Sequence, residues 1–137
     1  MRHRLTALTF VSICVCASVF AADVRDQLVG RWVGDSICTP VRKACHDEKA
    51  SYRVTKKGDD PKVVAMLLNK IVNGEEVEMG GVQDFIVDAA KQTLTAEWRF
   101  KTNHLRIAFH WTGSKMTGTL EDADSGAVVR NITLTKE

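Results

Sequence analysis

These 137 residues contain no catalytic constellation, no cofactor-binding glycine loop and no dense set of metal ligands. Ser36, Ser51, Ser114 and Ser125 stand in no strained strand-to-helix turn of the kind that exposes a catalytic serine, and no spacing marks a base for them. Paired carboxylates occur everywhere in a chain with 17 acidic residues, so they decide nothing. The expectation is therefore a protein that is not an enzyme and uses no cofactor. Long amphipathic helices, linkers, repeats and low-complexity tracts are also missing. A net charge is missing too, once the first residues are set aside: without Arg2 and Arg4 the 19 basic residues become 17, equal to the 17 acidic ones. Such a chain has no field to attract nucleic acid or anionic lipid.

The first residues read as a secretory signal. Arg2, His3 and Arg4 make a basic start, Leu5 to Phe20 is acid-free and mostly apolar, and Val19-Phe20-Ala21 suits a signal peptidase, with cleavage expected after Ala21. A retained anchor is the competing reading, but Thr6, Thr9 and Ser12 interrupt a run shorter than the roughly 20 residues a bilayer needs. Cys14 and Cys16 follow Ile13 and Val15, where a lipoprotein signal would need a small residue. Cleavage leaves residues 22–137 as one expected domain, secreted or periplasmic, with no membrane span. Of its cysteines, Cys38 and Cys45 remain, an even pair in an oxidising compartment and so an expected disulfide. The alternative, two thiolate zinc ligands, has one imidazole beside it, His46. Closing a loop of eight residues would stabilise the fold by about 2.5 kcal/mol.

What is present is alternation. Runs of period two or of β-branched residues cover about Leu28–Ile37, His46–Thr55, Lys62–Val72, Glu75–Val87, Thr93–Phe100, Leu105–Trp111, Met116–Glu121 and Ala127–Thr135. Asn73-Gly74 is a hairpin signal, because both residues tolerate the positive φ of a type I′ turn. Gly80-Gly81 marks a bulge or corner, and Ala89–Gln92 could form one helical turn. Eight short strands joined by short turns are best satisfied by an antiparallel up-and-down barrel, since closure leaves no unpaired edge. A two-sheet sandwich is the alternative.

Alternation also assigns faces. Leu105, Ile107, Phe109 and Trp111 share one side of their strand, as do Leu94, Ala96, Trp98 and Phe100. In the last strand Val128, Ile132 and Leu134 share a face with Arg130, which should point inward and therefore needs a partner.

Gly30-Arg31-Trp32 near the start and Arg130 near the end resemble the paired elements of the calycin group, the lipocalins and their relatives. The resemblance implies a lipocalin-like barrel with Trp32 across its closed end and Arg130 lying over the indole. Lipid-carrying lipocalins are longer, with a large lid loop after the first strand and a helix packed outside the barrel; this chain has no helix of that length, and its first loop is tied by the expected disulfide. It is similar to small secreted bacterial barrels sharing a pattern like Ser36-Ile37-Cys38 and Ala44-Cys45-His46-Asp47-Glu48, for which the resemblance carries no activity. Periplasmic metalloprotease inhibitors are similar in architecture, but they use an N-terminal trunk where Ala22–Gln27 offers only six residues.

Two functions from different classes follow. In the first, the open end admits a small hydrophobic molecule between Tyr52, Trp98, Phe109 and Trp111, although the same aromatics could simply fill the interior. In the second, the chain is an interaction protein, such as a protease inhibitor, or a homodimer. Its surface would be Lys62–Leu68, a run apolar on both faces, with Met66 or Leu68 as the exposed contact. His46 and Glu48 at i and i+2, with Asp84, form too weak a ligand set for a metal site to be assigned. His104 and His110 are read as surface residues, and Asn131-Ile132-Thr133 as a chance glycosylation match.

Overall fold

The computed structural model describes residues 21–137; the proposed signal segment, with Cys14 and Cys16, lies outside the described residues apart from Ala21. A short 3-10 turn, Val24–Gln27, precedes eight strands: β1 (Gly30–Cys38), β2 (Glu48–Lys56), β3 (Val63–Val72), β4 (Glu75–Asp88), β5 (Thr93–Phe100), β6 (Asn103–Thr112), β7 (Lys115–Asp122) and β8 (Val128–Lys136). Each pairs antiparallel with the next and β8 returns to β1, so the sheet is a closed up-and-down barrel, consistent with a calycin-like fold. The sandwich is thereby excluded. Ala89–Gln92 is a tight turn rather than a helix. Among the described residues no helix is long and apolar enough to cross a membrane.

The alternating side chains place the core. Leu94, Ile107, Phe109, Trp111, Ile132 and Leu134 are all buried inside the barrel, together with Trp32, Tyr52, Val64, Met66 and Phe85. Gly34 and Gly118 show how tightly the strands coil: a Cβ would lie 1.9 Å from the Thr133 carbonyl oxygen at the first and 2.1 Å from that of Ala108 at the second. Only glycine lets the neighbouring backbone cross at these points.

One end is sealed. Asp23 caps the 3-10 turn by accepting from the Arg25 amide, and its carboxylate is held far below its ordinary range chiefly by the Arg25 side chain. Arg25, buried although charged, donates to the carbonyl oxygens of Lys57, Gly58 and Val63 at 3.1–3.3 Å. Trp32 donates its indole N–H to the Leu28 carbonyl at 2.8 Å, and Trp111 donates to Gln27 Oε1 at 3.4 Å. Every donor buried at this end thus has an acceptor, as burial requires.

The expected stacking partner of Trp32 is corrected here. Lys136, not Arg130, lies over the indole, its Nζ 5.8 Å from the ring centroid and 3.0 Å from the Gln27 carbonyl. The β1–β8 register pairs Trp32 with Lys136 and Cys38 with Arg130. Six residues of extended strand separate those positions by roughly 20 Å, so Arg130 belongs to the opposite end.

Candidate functional site: a cavity at the open end

At the open end the barrel departs from regularity. Asn73 and Gly74 have φ of 52° and 82°, the positive values a type I′ hairpin needs, and return the chain tightly from β3 into β4. Near Gly80-Gly81 the β3–β4 register then shifts at Leu68/Asn69, a bulge with Gly81 at φ 65°. A bulge bends its strand, and the neighbouring ladder records the effect. β4 pairs with β5 only through Ile86–Thr95, Val87–Leu94 and Asp88–Thr93, although β5 continues to Phe100 and β4 begins at Glu75. Toward the open end the two strands therefore share no ladder.

A cavity of about 100 Å³ lies behind this divergence. Met79 and Gly80 of β4 and Trp98 and Phe100 of β5 line one side; Tyr52, Leu68, Leu105, Ile107 and Leu120 complete an apolar wall, with Arg130 the one charged residue. A Cβ on Gly80 would press on Leu68 at 3.0–3.2 Å, so the glycine helps keep this wall where it is. Beneath the cavity, Phe109 meets Tyr52 edge-on at 6.3 Å and stacks against Phe85 at 6.1 Å. That aromatic layer fills the middle of the barrel.

Of the four aromatics assigned to a ligand from sequence, Tyr52 and Trp98 line the cavity, whereas Phe109 and Trp111 do not. Phe109 belongs to the packed layer below, and Trp111 lies toward the sealed end, near Gln27. Alternation had grouped them because all four point inward. It does not say how far down the barrel the interior is filled.

Arg130 does point inward, and its partners explain how it is tolerated. Its Nη1 donates to the Ser36 carbonyl and hydroxyl at 3.3 and 3.4 Å, and its Nη2 lies 3.5 Å from Glu48 Oε1. Both side chains of this ion pair are largely buried, at 13% and 15% exposure, and Lys70 stands 3.7 Å from the same carboxylate oxygen. Glu48 Oε2 is buried without a hydrogen-bond partner. Burial, with Glu48 adding and Arg130 opposing, pushes the Tyr52 phenol up to about 12, so it remains a neutral hydroxyl beside the cavity.

A loop crosses the same end. Cys38 and Cys45 lie at disulfide distance, with S–S 1.99 Å and Cα atoms 5.9 Å apart. Thr39 donates its hydroxyl to the Val128 carbonyl at 2.6 Å, the Cys38 amide donates to Asp47 at 2.8 Å, and Arg42 pairs with Asp122 at 3.3 Å. Arg42, Ala44 and Cys45 thereby stand over Leu105, Leu120, Val129 and Arg130, the flank of the cavity.

The weak metal set does not converge. His46 is exposed in the loop, Glu48 turns inward to Arg130, and Asp84 is hydrogen-bonded to Lys57 on the outer wall. Among the described residues no three histidine, cysteine or carboxylate side chains are grouped to hold a metal ion. His104 is more engaged than a plain surface residue: Nδ1 lies 2.7 Å from Asp124 and Nε2 2.6 Å from Glu97, and these contacts raise its pKa, Asp124 contributing most. His110 and Asn131 are exposed.

The run Lys62–Leu68 is also corrected. Met66 and Leu68 are buried inside the barrel, so neither offers an outer contact. The residues facing outward are Val63, Ala65 and Leu67, and the register sets Val63 beside Ile86 and Leu67 beside Val82. Ile86 and Val82 are both exposed, which makes this wall apolar.

Comparison with known proteins finds no family model that matches the chain and no curated protein similar to it.

Proposed function

We propose that this chain is a lipocalin-like binding module rather than an enzyme, secreted or periplasmic after loss of its leader, that holds the apolar end of a small amphiphile. The observation that carries the reading is the open-end cavity, apolar except for Arg130 and the Tyr52 hydroxyl. Its volume of about 100 Å³ sets the ligand class. Drug-sized pockets run to roughly 300–1,000 Å³, whereas an engineered apolar cavity of roughly 150 Å³ accepts benzene. This cavity accordingly suits one aromatic ring or a short alkyl end, with the rest of the molecule leaving through the mouth. The disulfide supports an oxidising compartment.

Native mass spectrometry of protein purified from an oxidising compartment tests this directly. A small molecule that stays bound under native conditions and is lost on denaturation supports the reading. Titration with hexanol provides the second arm: uptake by the wild type and at least about tenfold weaker uptake by Leu105→Trp, which fills the space, is the expected pair of results. No uptake of hexanol and no co-purifying molecule would overturn it.

The outer apolar wall favours a second reading, an interaction protein working through β3 and β4. Under that reading association would fall when Leu67→Asp or Val82→Asp is introduced. The cavity would remain empty.

A further inference from the structure

The divergence of β4 from β5 leaves two sheet edges facing one another. Val87 donates its amide to the Lys62 carbonyl, and the Gln92 carbonyl accepts from the Trp111 amide. Alternation from these two bonds fixes which residues turn their main chain to the gap: Val82, Asp84 and Ile86 on β4, and Thr95, Glu97 and Arg99 on β5. Ile86 and Thr95 pair. The next bonded pair in register would join Asp84 to Glu97 and the one after it Val82 to Arg99, and neither forms. The first of these would set two carboxylates face to face across the ladder, an unfavourable cross-strand arrangement. Asp84 turns instead to Lys57, and Glu97 to Arg106 and His104. The amide and carbonyl groups of Val82, Asp84, Glu97 and Arg99 thus have no strand partner. A groove of about 460 Å³ marks the gap on the outer wall, lined by Asp84 and Ile86 on one side and by Thr95, Ala96 and Glu97 on the other. The apolar cavity, walled by Met79, Gly80, Trp98 and Phe100 of the same two strands, lies behind it.

We infer that this gap takes an extended peptide segment of a partner protein, added as a strand between β4 and β5. It rests on the binding reading above only in giving the cavity an apolar occupant; the bare edges are a separate observation. A row of main-chain donors and acceptors repeating at every second residue is matched by another main chain, and strand addition to an open edge draws its affinity from those bonds. Both edges are bare along Ala96–Phe100, so one inserted strand bonds on both sides, parallel to one neighbour and antiparallel to the other. A small alcohol or alkyl chain fills the cavity but leaves both edges unbonded. Alternation then sorts the side chains of the added strand. Those turned inward at the level of Trp98 and Phe100 meet the cavity, whose volume of about 100 Å³ suits a branched alkyl group. Phe100 is 51% exposed although it points inward, and it offers the surface that such a side chain covers. Those turned outward pass between Asp84 and Glu97, whose charges are already met by Lys57, Arg106 and His104, so small neutral polar groups fit there. The partner segment is therefore apolar at alternate positions, uncharged between them, and about as long as Ala96–Phe100.

The blocked peptide acetyl-Thr-Leu-Thr-Leu-Thr-amide is the probe, with the intact protein followed by amide NMR and hydrogen exchange. At millimolar concentration it is expected to shift the amides of Val82, Asp84, Glu97 and Arg99 and to slow their exchange. The same peptide N-methylated at both leucines keeps its apolar side chains but loses two main-chain donors, and is expected to bind at least about tenfold more weakly. Equal binding of the two peptides overturns strand addition, because side chains alone then account for the affinity. No binding at millimolar concentration overturns it as well, as does protection confined to amides outside the gap. Hexanol titration separates this inference from the reading beneath it. A protein that takes up hexanol and ignores the peptide keeps the small-ligand reading and loses strand addition. One that pairs with the peptide and takes up no hexanol keeps strand addition and loses the small-ligand reading.

Discussion

Arg130 is the residue whose replacement separates this structure most sharply from the arrangement expected for a lipocalin-like barrel. Arg130→Met removes the Nη1 bonds to Ser36 and leaves the Glu48 carboxylate with Lys70 at 3.7 Å as its remaining ion-pair partner. Breaking one side of a buried ion pair costs roughly 3–5 kcal/mol, most of it the uncompensated charge left behind. Lys70 and the 15% exposure of Glu48 put this site at the low end, about 3 kcal/mol. For a domain of this size that is a fall in Tm of about 12 °C. The double variant Glu48→Met/Arg130→Met removes both charges and should return to within about 1 kcal/mol of the wild type. Chemical denaturation of the four proteins in the cycle measures the coupling. An Arg130→Met protein within about 1 kcal/mol of the wild type would refute the reasoning, as would a double variant no more stable than that single one.

Four further outcomes are expected. Lys136→Met should cost about 1 kcal/mol and change the fluorescence of Trp32, since it removes the cation over the indole and the bond to the Gln27 carbonyl. Gly118→Ala, whose Cβ would lie 2.1 Å from the Ala108 oxygen, should destabilise by about 3 kcal/mol or more in urea unfolding; a loss under 1 kcal/mol would mean that the strands do not cross as closely as described. Replacing Cys38 and Cys45 together by serine should cost about 2.5 kcal/mol, read as a lower denaturation midpoint at constant slope. His104 has a raised folded-state pKa, so its contribution is fully present below the unfolded value near 6.5 and is lost as pH rises through the folded value; His104→Phe should flatten the stability profile in that window, and an unchanged profile would count against the contacts to Asp124 and Glu97.

The course of the chain was legible because alternation and turn chemistry are local. Strand limits read from the sequence fall within about two residues of those observed, since Asn73-Gly74 and Lys56–Pro61 interrupt the pattern where the strands end. The Gly80-Gly81 bulge was legible for the same reason. Three matters were not local. The position of Arg130 depends on a register between β1 and β8, which pairs Cys38 with a residue near the opposite terminus, and no short-range pattern carries that register. A second bulge, at Leu120/Glu121, breaks the alternation in β8 and buries Val129, which strict period two places outside. The depth of the cavity depends on how far β4 bends from β5 and on the Phe85, Phe109 and Tyr52 rings that fill the space below, a tertiary outcome of both.

The two ends of the barrel differ in how completely their groups are satisfied, and that difference is the ground for proposing the open end as the binding end. At the sealed end the indole donors of Trp32 and Trp111, the Arg25 guanidinium and the Lys136 ammonium all find acceptors, and Leu28, Trp32 and Trp111 are fully buried. Such a constellation has little to gain from a partner. At the open end a bulged strand leaves its neighbour, Phe100 is half exposed, Glu48 Oε2 is buried without a donor, and an apolar space remains. The vacant apolar space and the half-exposed Phe100 would be relieved by an apolar group entering from the mouth, whereas Glu48 Oε2 would be satisfied only by a hydrogen-bond donor. Filling the cavity from within, by Leu105→Trp, should therefore raise the melting temperature while abolishing hexanol uptake, because the same space cannot both be packed and bind. A variant that lost uptake and also lost several degrees of Tm would show that this space is strained rather than vacant, and would move the search for function to the outer wall formed by Val63, Leu67, Val82 and Ile86.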